Sequence, residues 1–322
     1  MKKVIIGLFL SVVALFVNAQ EFPNKPVTLI VPYGPGGPID VMARRIAMPL
    51  AKELGQPVIV ENRPSTGGIL AMELIRQAKP DGYTIVVHNN GMATVNGFSR
   101  NFKFDVLTDF SPIGEIAEVP MVLVGRRTLK PTNFAELRKY MIDNQQTINI
   151  ASGGIGTPSH LCALALIEQL HIDAHIIPYK GAAPALTDLE AGQVDVMCDQ
   201  ITVTQQPIQS GMIKAYGAAT LKRIPTMPDL PTLNEQGLRG FEQKVWGVLQ
   251  TNKNTPPEVI DRLVRALQRS VKDPEYQNGL KALGSAAVTP DRATPGRVLQ
   301  DLKYEQQKWQ PLVLKDRVRN EK

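Results

Sequence analysis

Between Val27 and Ala219 short apolar runs alternate with stretches of helical periodicity, and few folds accommodate that order. Val27–Val31 reads as a strand, and Ile39, Met42, Ala43, Ile46, Leu50 and Leu54 then mark one helical face. Gly55 stops this helix, and Pro49 inside it predicts a kink because proline lacks the N–H of that turn. Pro57–Val60 is a second strand, residues 69–78 a second helix, and Lys79-Pro80-Asp81-Gly82 a turn before a third strand, Tyr83–His88. The order then repeats. Strands are predicted at 120–124, 147–151, 175–179, 194–198 and 213–219. Helices are predicted at 159–170, 184–191 and 204–210, and Asn133 with Glu136 forms a helix cap. Such alternation implies parallel sheets with helices on both faces. Runs as apolar as Val194-Asp195-Val196-Met197 suit strands buried on both sides.

The last third changes character. Residues 256–271, 274–283 and 294–310 read as three successive helices, which must pack on a core that already exists. Val245–Leu249 supplies a strand on which the chain can return to the first half. With a first crossing near Met121–Val124, two crossing strands would join two α/β lobes. The expected division is 20–122 with 246–322 in lobe 1, and 123–245 in lobe 2.

The N-terminus has the three-part pattern of a secretory signal peptide. Lys2 and Lys3 precede an apolar run from Val4 to Val17, and Val17-Asn18-Ala19 offers a cut before Gln20. That run of 14 residues is short for a membrane span, which needs about 20. Cleavage would leave about 300 residues, a two-domain length, for export. It would leave 34 basic residues (36 less Lys2 and Lys3) against 30 acidic ones, a net charge of +4. The basic residues are scattered without interleaved aromatics, which argues against nucleic-acid binding. Cys162 and Cys198 lack CxxC spacing and read best as two buried thiols, although an oxidising compartment would let them pair.

Two loops have the chemistry to hold an anion. In Tyr33-Gly34-Pro35-Gly36-Gly37-Pro38, the glycines let backbone N–H groups approach a ligand, and Pro38 suits a first helical turn. Ile39 and Asp40 follow at the positive end of the helix. The second loop, Ser152-Gly153-Gly154-Ile155-Gly156-Thr157-Pro158-Ser159, repeats the design with hydroxyl donors. Neither loop is a nucleotide signature, since Ile39 replaces the third glycine of GxGxxG and no GK[ST] is present. Neither contains arginine, so amides and hydroxyls would favour a carboxylate over phosphate. No cofactor is implied.

Other polar residues have competing roles. His88 ends a strand at the cleft and could touch a ligand. Asp40 could contact the ligand or brace its own loop. Asp199 follows a strand and could accept from a ligand hydroxyl or amine, or cap the next segment. His160 suits capping or core packing. His171 and His175 straddle a helix end, where they would not share a metal. No GxSxG elbow or convincing acid–base pair is present, so the chain reads as a binding protein.

These segments resemble the Bug-type periplasmic solute-binding proteins of tripartite tricarboxylate transporters. The likeness runs from Pro26–Pro32 with Gly36-Gly37 and Asp40 through Leu54-Gly55-Gln56-Pro57-Val58 and Val60-Glu61-Asn62-Arg63-Pro64. It continues in Pro80-Asp81-Gly82-Tyr83-Thr84, Ser159-His160-Leu161, Pro178-Tyr179-Lys180-Gly181, Pro184–Leu189, Gly192-Gln193-Val194-Asp195 and Pro228–Thr232. The resemblance implies an α/β, two-lobed periplasmic binding protein of type II. Each lobe would be a mostly parallel sheet flanked by helices, joined by two crossing strands. It implies capture of a small organic carboxylate by hinge closure and delivery to membrane permease subunits. Tyr33, Gly36, Gly37, Ile39 and Asp40 would face Ser152, Gly153, Thr157 and Ser159, with His88, Asn89, Asn90 and Asp199 lining the rest. Family loops often read PAGGGTD, whereas Pro38 and Ile39 here remove an amide and a hydroxyl, which alters selectivity. Other readings on the same fold are a ligand-sensing module for a signalling protein and a secreted small-acid lyase or dehydratase.

Overall fold

A computed structural model describes residues 22–65, 68–98 and 104–320. The expected signal peptide, residues 1–19, lies outside them. In sequence order the first half holds β1 (Val27–Val31), α1 (Pro38–Leu54), β2 (Val58–Asn62), α2 (Ile69–Gln77) and β3 (Thr84–Asn89). A short 3-10 turn, Asn90–Thr94, leads into α3 (Val95–Phe98) and then β4 (Phe110–Arg126). The second half holds α4 (Phe134–Asp143), β5 (Asn149–Ser152), α5 (Pro158–Leu170), β6 (His175–Pro178), α6 (Ala182–Glu190), β7 (Val196–Gln200), α7 (Ile201–Gln209) and β8 (Ile213–Ala218). The chain closes with β9 (Lys244–Asn252), α8 (Pro257–Ser270), α9 (Pro274–Ala282), β10 (Ala286–Ala287) and α10 (Pro295–Asn320).

β1 pairs in parallel with β2 and β3, as sequential βαβ units require. β5 pairs in parallel with β6 and β7. β4 belongs to both sheets. Its first part, Phe110–Pro120, runs antiparallel to β9, and from Met121 onward it pairs with β7 and β8. The strand therefore passes from one sheet to the other at Pro120–Met121. The return follows a backbone bond from Gln243 N–H to Ala219 O, 2.7 Å, immediately before β9 begins at Lys244.

Several elements differ from the sequence reading. β4 starts ten residues before the predicted Pro120, because Pro112, Gly114 and Pro120 obscure the strand in the sequence. Register shifts between Pro112 and Gly114 and between Glu115 and Ala117 absorb these residues. α1 continues past Pro49 to a left-handed Gly55 that ends it. α10 continues past Pro311 to Asn320.

The cysteines are the clearest correction. Cys162 and Cys198 are both buried, as expected, but they form a disulfide with Cα atoms 6.0 Å apart. Helix α5 packs on β7, which brings residues 36 apart in sequence within bonding reach. Spacing along the chain carries no sign of such a pairing.

One buried apolar cluster runs through both sheets, with Leu29, Val31, Ile46 and Val87 on one side and Ile150, Leu166 and Val196 on the other. A separate group, Leu161 of α5 with Trp309 and Val313 of α10, ties the last helix to the second sheet's layer. The Lys315–Glu168 ion pair lies along the same seam.

Candidate functional site

The cleft between the two sheets is walled by the starts of four helices. Gly37, Thr157, Gly181 and Gln200 are the N-cap residues of α1, α5, α6 and α7, and all four line it. Helix N-termini present unpaired N–H groups and a partial positive charge. Gly37, Gly181 and Gln200 make no side-chain cap, so the first-turn N–H groups of three helices have no capping side chain there. The cavity that these helix starts enclose is about 50 Å³.

Eight of the residues singled out from the sequence line this cleft: Tyr33, Gly37, Ile39, Asn89, Gly153, Thr157, Ser159 and Asp199. Five stand behind it. Asp40 accepts from Gly36 N–H at 3.0 Å, from Arg44 Nε at 2.9 Å and from Asn62 Nδ2 at 2.9 Å. Burial alone would raise its pKa, but the Arg44, Gly36 and Asn62 hydrogen bonds outweigh that and hold it below the usual value. Asp40 is thus the brace of the first loop, and through it Gly36 is held in place. Gly36 sits at φ +77°, in the left-handed region that glycine occupies without strain.

His88 is fully buried, with Nε2 2.6 Å from Gln250 Oε1 and Nδ1 3.0 Å from the Asn89 carbonyl. Burial lowers its pKa against the pull of those two neighbours, so the ring favours the neutral form. It supports the end of β3 instead of lining the cleft. Asn90 reaches across to the Lys244 carbonyl at 3.4 Å, and Ser152 is buried beneath Gly153.

The hydroxyls behave differently from the sequence expectation. Thr157 Oγ1 donates to Gly154 O at 2.7 Å, and Ser159 Oγ donates to Cys198 O at 2.8 Å. Their protons are committed to the backbone, and Thr157 Oγ1 also accepts from His160 N–H at 3.3 Å as the cap of α5. Tyr33 remains a neutral phenol because burial pushes it up to about 12, against a hydrogen bond with Asn89.

Asp199 is the unusual group. It is 1 % exposed, its Oδ1 accepts from Gln200 N–H at 2.7 Å, and its Oδ2 has no protein partner. Burial pushes it up to about 7, against the Gln200 backbone N–H first and the nearby polar side chains of Gln200 and Ser159 after it.

The sequence reading missed Lys180, Gly181 and Gln200. Lys180 is exposed at the rim of the cleft, and Gly181 turns the chain into α6 at φ 129°. The helix was expected to start at Pro184, but Ala182 and Ala183 already form its first turn. The Lys180-Gly181 step directly after a strand was the available signal, since strand ends in such sheets face the ligand crevice.

His160 packs inside the second half. Its Nδ1 accepts from Gly156 N–H at 3.3 Å, its Nε2 lies 3.9 Å from Asp316 Oδ2, and its ring meets Phe98 edge-on. His171 caps α5 in a left-handed conformation and is exposed, as is His175. No His, Cys, Asp or Glu cluster suited to a metal occurs among the described residues.

Comparison with known proteins agrees with this geometry. Residues 42–317 match the family described as the tripartite tricarboxylate transporter family receptor. The periplasmic binding protein BugD superposes with a TM-score of 0.87 at 40% identity, covering 91% of this chain and 98% of BugD. MatC from Rhodopseudomonas palustris, solved with bound malate, gives 0.86 at 34% identity over 91% of this chain and all of its own (100%). Rpa4515 of R. palustris, solved with adipate, gives 0.85 at 27% identity over 91% and 97%. Fold, cleft and family match together show that this chain belongs to the tripartite tricarboxylate transporter receptors, periplasmic solute-binding proteins of the Bug type and not enzymes.

Proposed function

We propose that this receptor captures a small organic carboxylate by closing its two lobes and hands it to the membrane permease subunits of a tripartite tricarboxylate transporter. The observation that carries the reading is the convergence of four helix N-termini on one cleft, three of them without a side-chain cap. A carboxylate there accepts from backbone N–H groups contributed by both sides and so favours the closed arrangement by its differential affinity. The moving bodies are residues 20–122 with 246–322 and residues 123–245, hinged where β4 changes sheets and where the chain returns to β9. MatC with malate and Rpa4515 with adipate support a carboxylate cargo. Residues 1–19 would direct export and be removed, and a buried disulfide suits the oxidising periplasm.

The test is a thermal-shift screen of the purified protein against mono-, di- and tricarboxylates, aromatic acids, amino acids, sugars and phosphates. A cargo raises the melting temperature by mass action. Stabilisation by carboxylates supports the reading. Stabilisation by sugars or phosphates alone would overturn it. Cell fractionation checks the location, and deletion of the neighbouring permease genes should abolish uptake of the acid identified.

A further inference from the structure

We infer that the cargo carries a hydrogen-bond donor beside its carboxylate, a hydroxyl or an ammonium group, and that Asp199 receives it. This rests on the carboxylate-receptor reading above. The inference comes from counting which polar atoms at the floor of the cleft are already used. Asp199 Oδ2 is buried, belongs to a cleft-lining residue and has no protein partner. Gln200 Oε1, on the next residue, is also buried and unpartnered. Beside them Thr157 and Ser159 have their hydrogens on Gly154 O and Cys198 O. The floor therefore holds two buried acceptors that no protein donor fills, Asp199 Oδ2 and Gln200 Oε1. The donors lie elsewhere, in the backbone N–H groups that open α1 and α6 and in the Lys180 ammonium at the rim.

A plain dicarboxylate brings acceptors only. Its chain would leave Asp199 Oδ2 and Gln200 Oε1 unsatisfied in a closed site, or would set a second carboxylate against Asp199. With Asp199 ionised, above about pH 7, either is costly, because buried unpaired polar groups and apposed like charges destabilise a complex. A hydroxyl satisfies one of these acceptors. An ammonium group can satisfy both and also neutralises an ionised Asp199. The two sources share the same chemistry and differ in the number of protons they offer.

The experiment is calorimetric titration of the purified protein with matched acids that differ only at C2, bearing hydrogen, hydroxyl or ammonium. Succinate, malate and aspartate form the four-carbon series. Glutarate, 2-hydroxyglutarate and glutamate form the five-carbon series, and phenylacetate, mandelate and phenylglycine the aromatic one. In the series that binds, the hydroxyl or ammonium member should exceed the plain acid by at least roughly 100-fold, the discrimination expected of a site built to pair a donor. A hydroxyl preference identifies a hydroxy acid and an ammonium preference an amino acid, and both support the inference. The Asp199→Asn variant should narrow the gap to within about tenfold, since one acceptor and its charge are lost. The wild-type series decides the matter even if that variant fails to fold. Equal affinity of the plain and substituted acids overturns the donor inference and leaves the receptor reading standing. Failure of the folded protein to bind any carboxylate in these series or in the thermal screen overturns both.

Discussion

A Cβ on Gly91 would lie 2.5 Å from the carbonyl oxygen of Gly156, on the opposite side of the cleft. It would also lie 2.9 Å from Pro158 Cδ. The two lobes thus meet backbone to backbone at the end of β3 and the start of α5. Gly91 is not in the left-handed region, so a side chain there brings no intrinsic backbone strain. The same Cβ would meet Asn89 Oδ1 of its own turn at 2.9 Å, so Gly91→Val should disturb that cap locally and, across the cleft, resist closing. Overpacking of this kind costs about 1–3 kcal/mol, or roughly 10- to 100-fold in ligand affinity. Calorimetry and small-angle scattering with and without ligand check it. Wild-type affinity with full compaction would refute the interlock.

Gly36 and Gly37 are adjacent and should respond differently. Gly36 is left-handed at φ +77°, so Gly36→Ala should destabilise the unliganded protein by about 1–2 kcal/mol. Gly37 has φ −75°, and a Cβ on it meets only Gly34 O at 3.5 Å, an ordinary contact. Gly37→Val should cost the free protein about 1 kcal/mol or less as a poorer N-cap. Its main effect should be on binding, because the branched side chain stands where the ligand approaches the helix. Urea unfolding and calorimetry on both variants separate the two effects.

What could be read from the sequence follows the range of the interactions. β1, α1 and α5 are specified by local apolar periodicity and by Gly-Pro or Thr-Pro starts, and they were legible. The first half of β4 was hidden because Pro112, Gly114 and Pro120 are tolerated only through its irregular pairing with β9. The Gly36-Gly37 loop was legible as a turn that opens a helix. The role of Asp40 as a brace depends on Asn62, 22 residues away, and was left open. Asp199 was visible as a polar residue after a strand. Its unpaired oxygen and raised pKa follow from burial under α5 and α7, which no local pattern records.

Unliganded stability should fall as pH rises from about 4 through about 8. Burial pushes Asp199 up to about 7. Burial first and the neighbouring Asp301 second push Glu115 up to about 8, against the Arg292 guanidinium. Unfolded carboxyls titrate near 4. The folded state therefore holds extra protons between the two values, and stability declines with pH across that interval. Asp199→Asn should remove the part of the decline that ends near pH 7 and leave the part belonging to Glu115. Urea unfolding at pH 5, 7 and 8.5 measures both. A wild-type profile that rises throughout this range would contradict the assignment.

The Cys162–Cys198 bond closes a loop with a sequence separation of 36. Loop-closure entropy for that length corresponds to about 4 kcal/mol. Reduction, or paired replacement of both residues by serine, should lower the melting temperature and weaken ligand binding. Cys162 is one turn beyond Ser159, and Cys198 immediately precedes Asp199. Differential scanning calorimetry with and without reductant tests the stability effect, and calorimetric titration tests the binding effect.

The same bond makes the two sides of the cleft mechanically unequal. On the second sheet, Ser159 and Asp199 are riveted together by the disulfide beside them and by the Ser159–Cys198 hydrogen bond. On the first sheet, the Gly36 loop is held by hydrogen bonds without a covalent link, those of Asp40 and the Asn62 Nδ2 bond to Tyr33 O. The receptor resembles a vice with one fixed jaw and one sprung jaw.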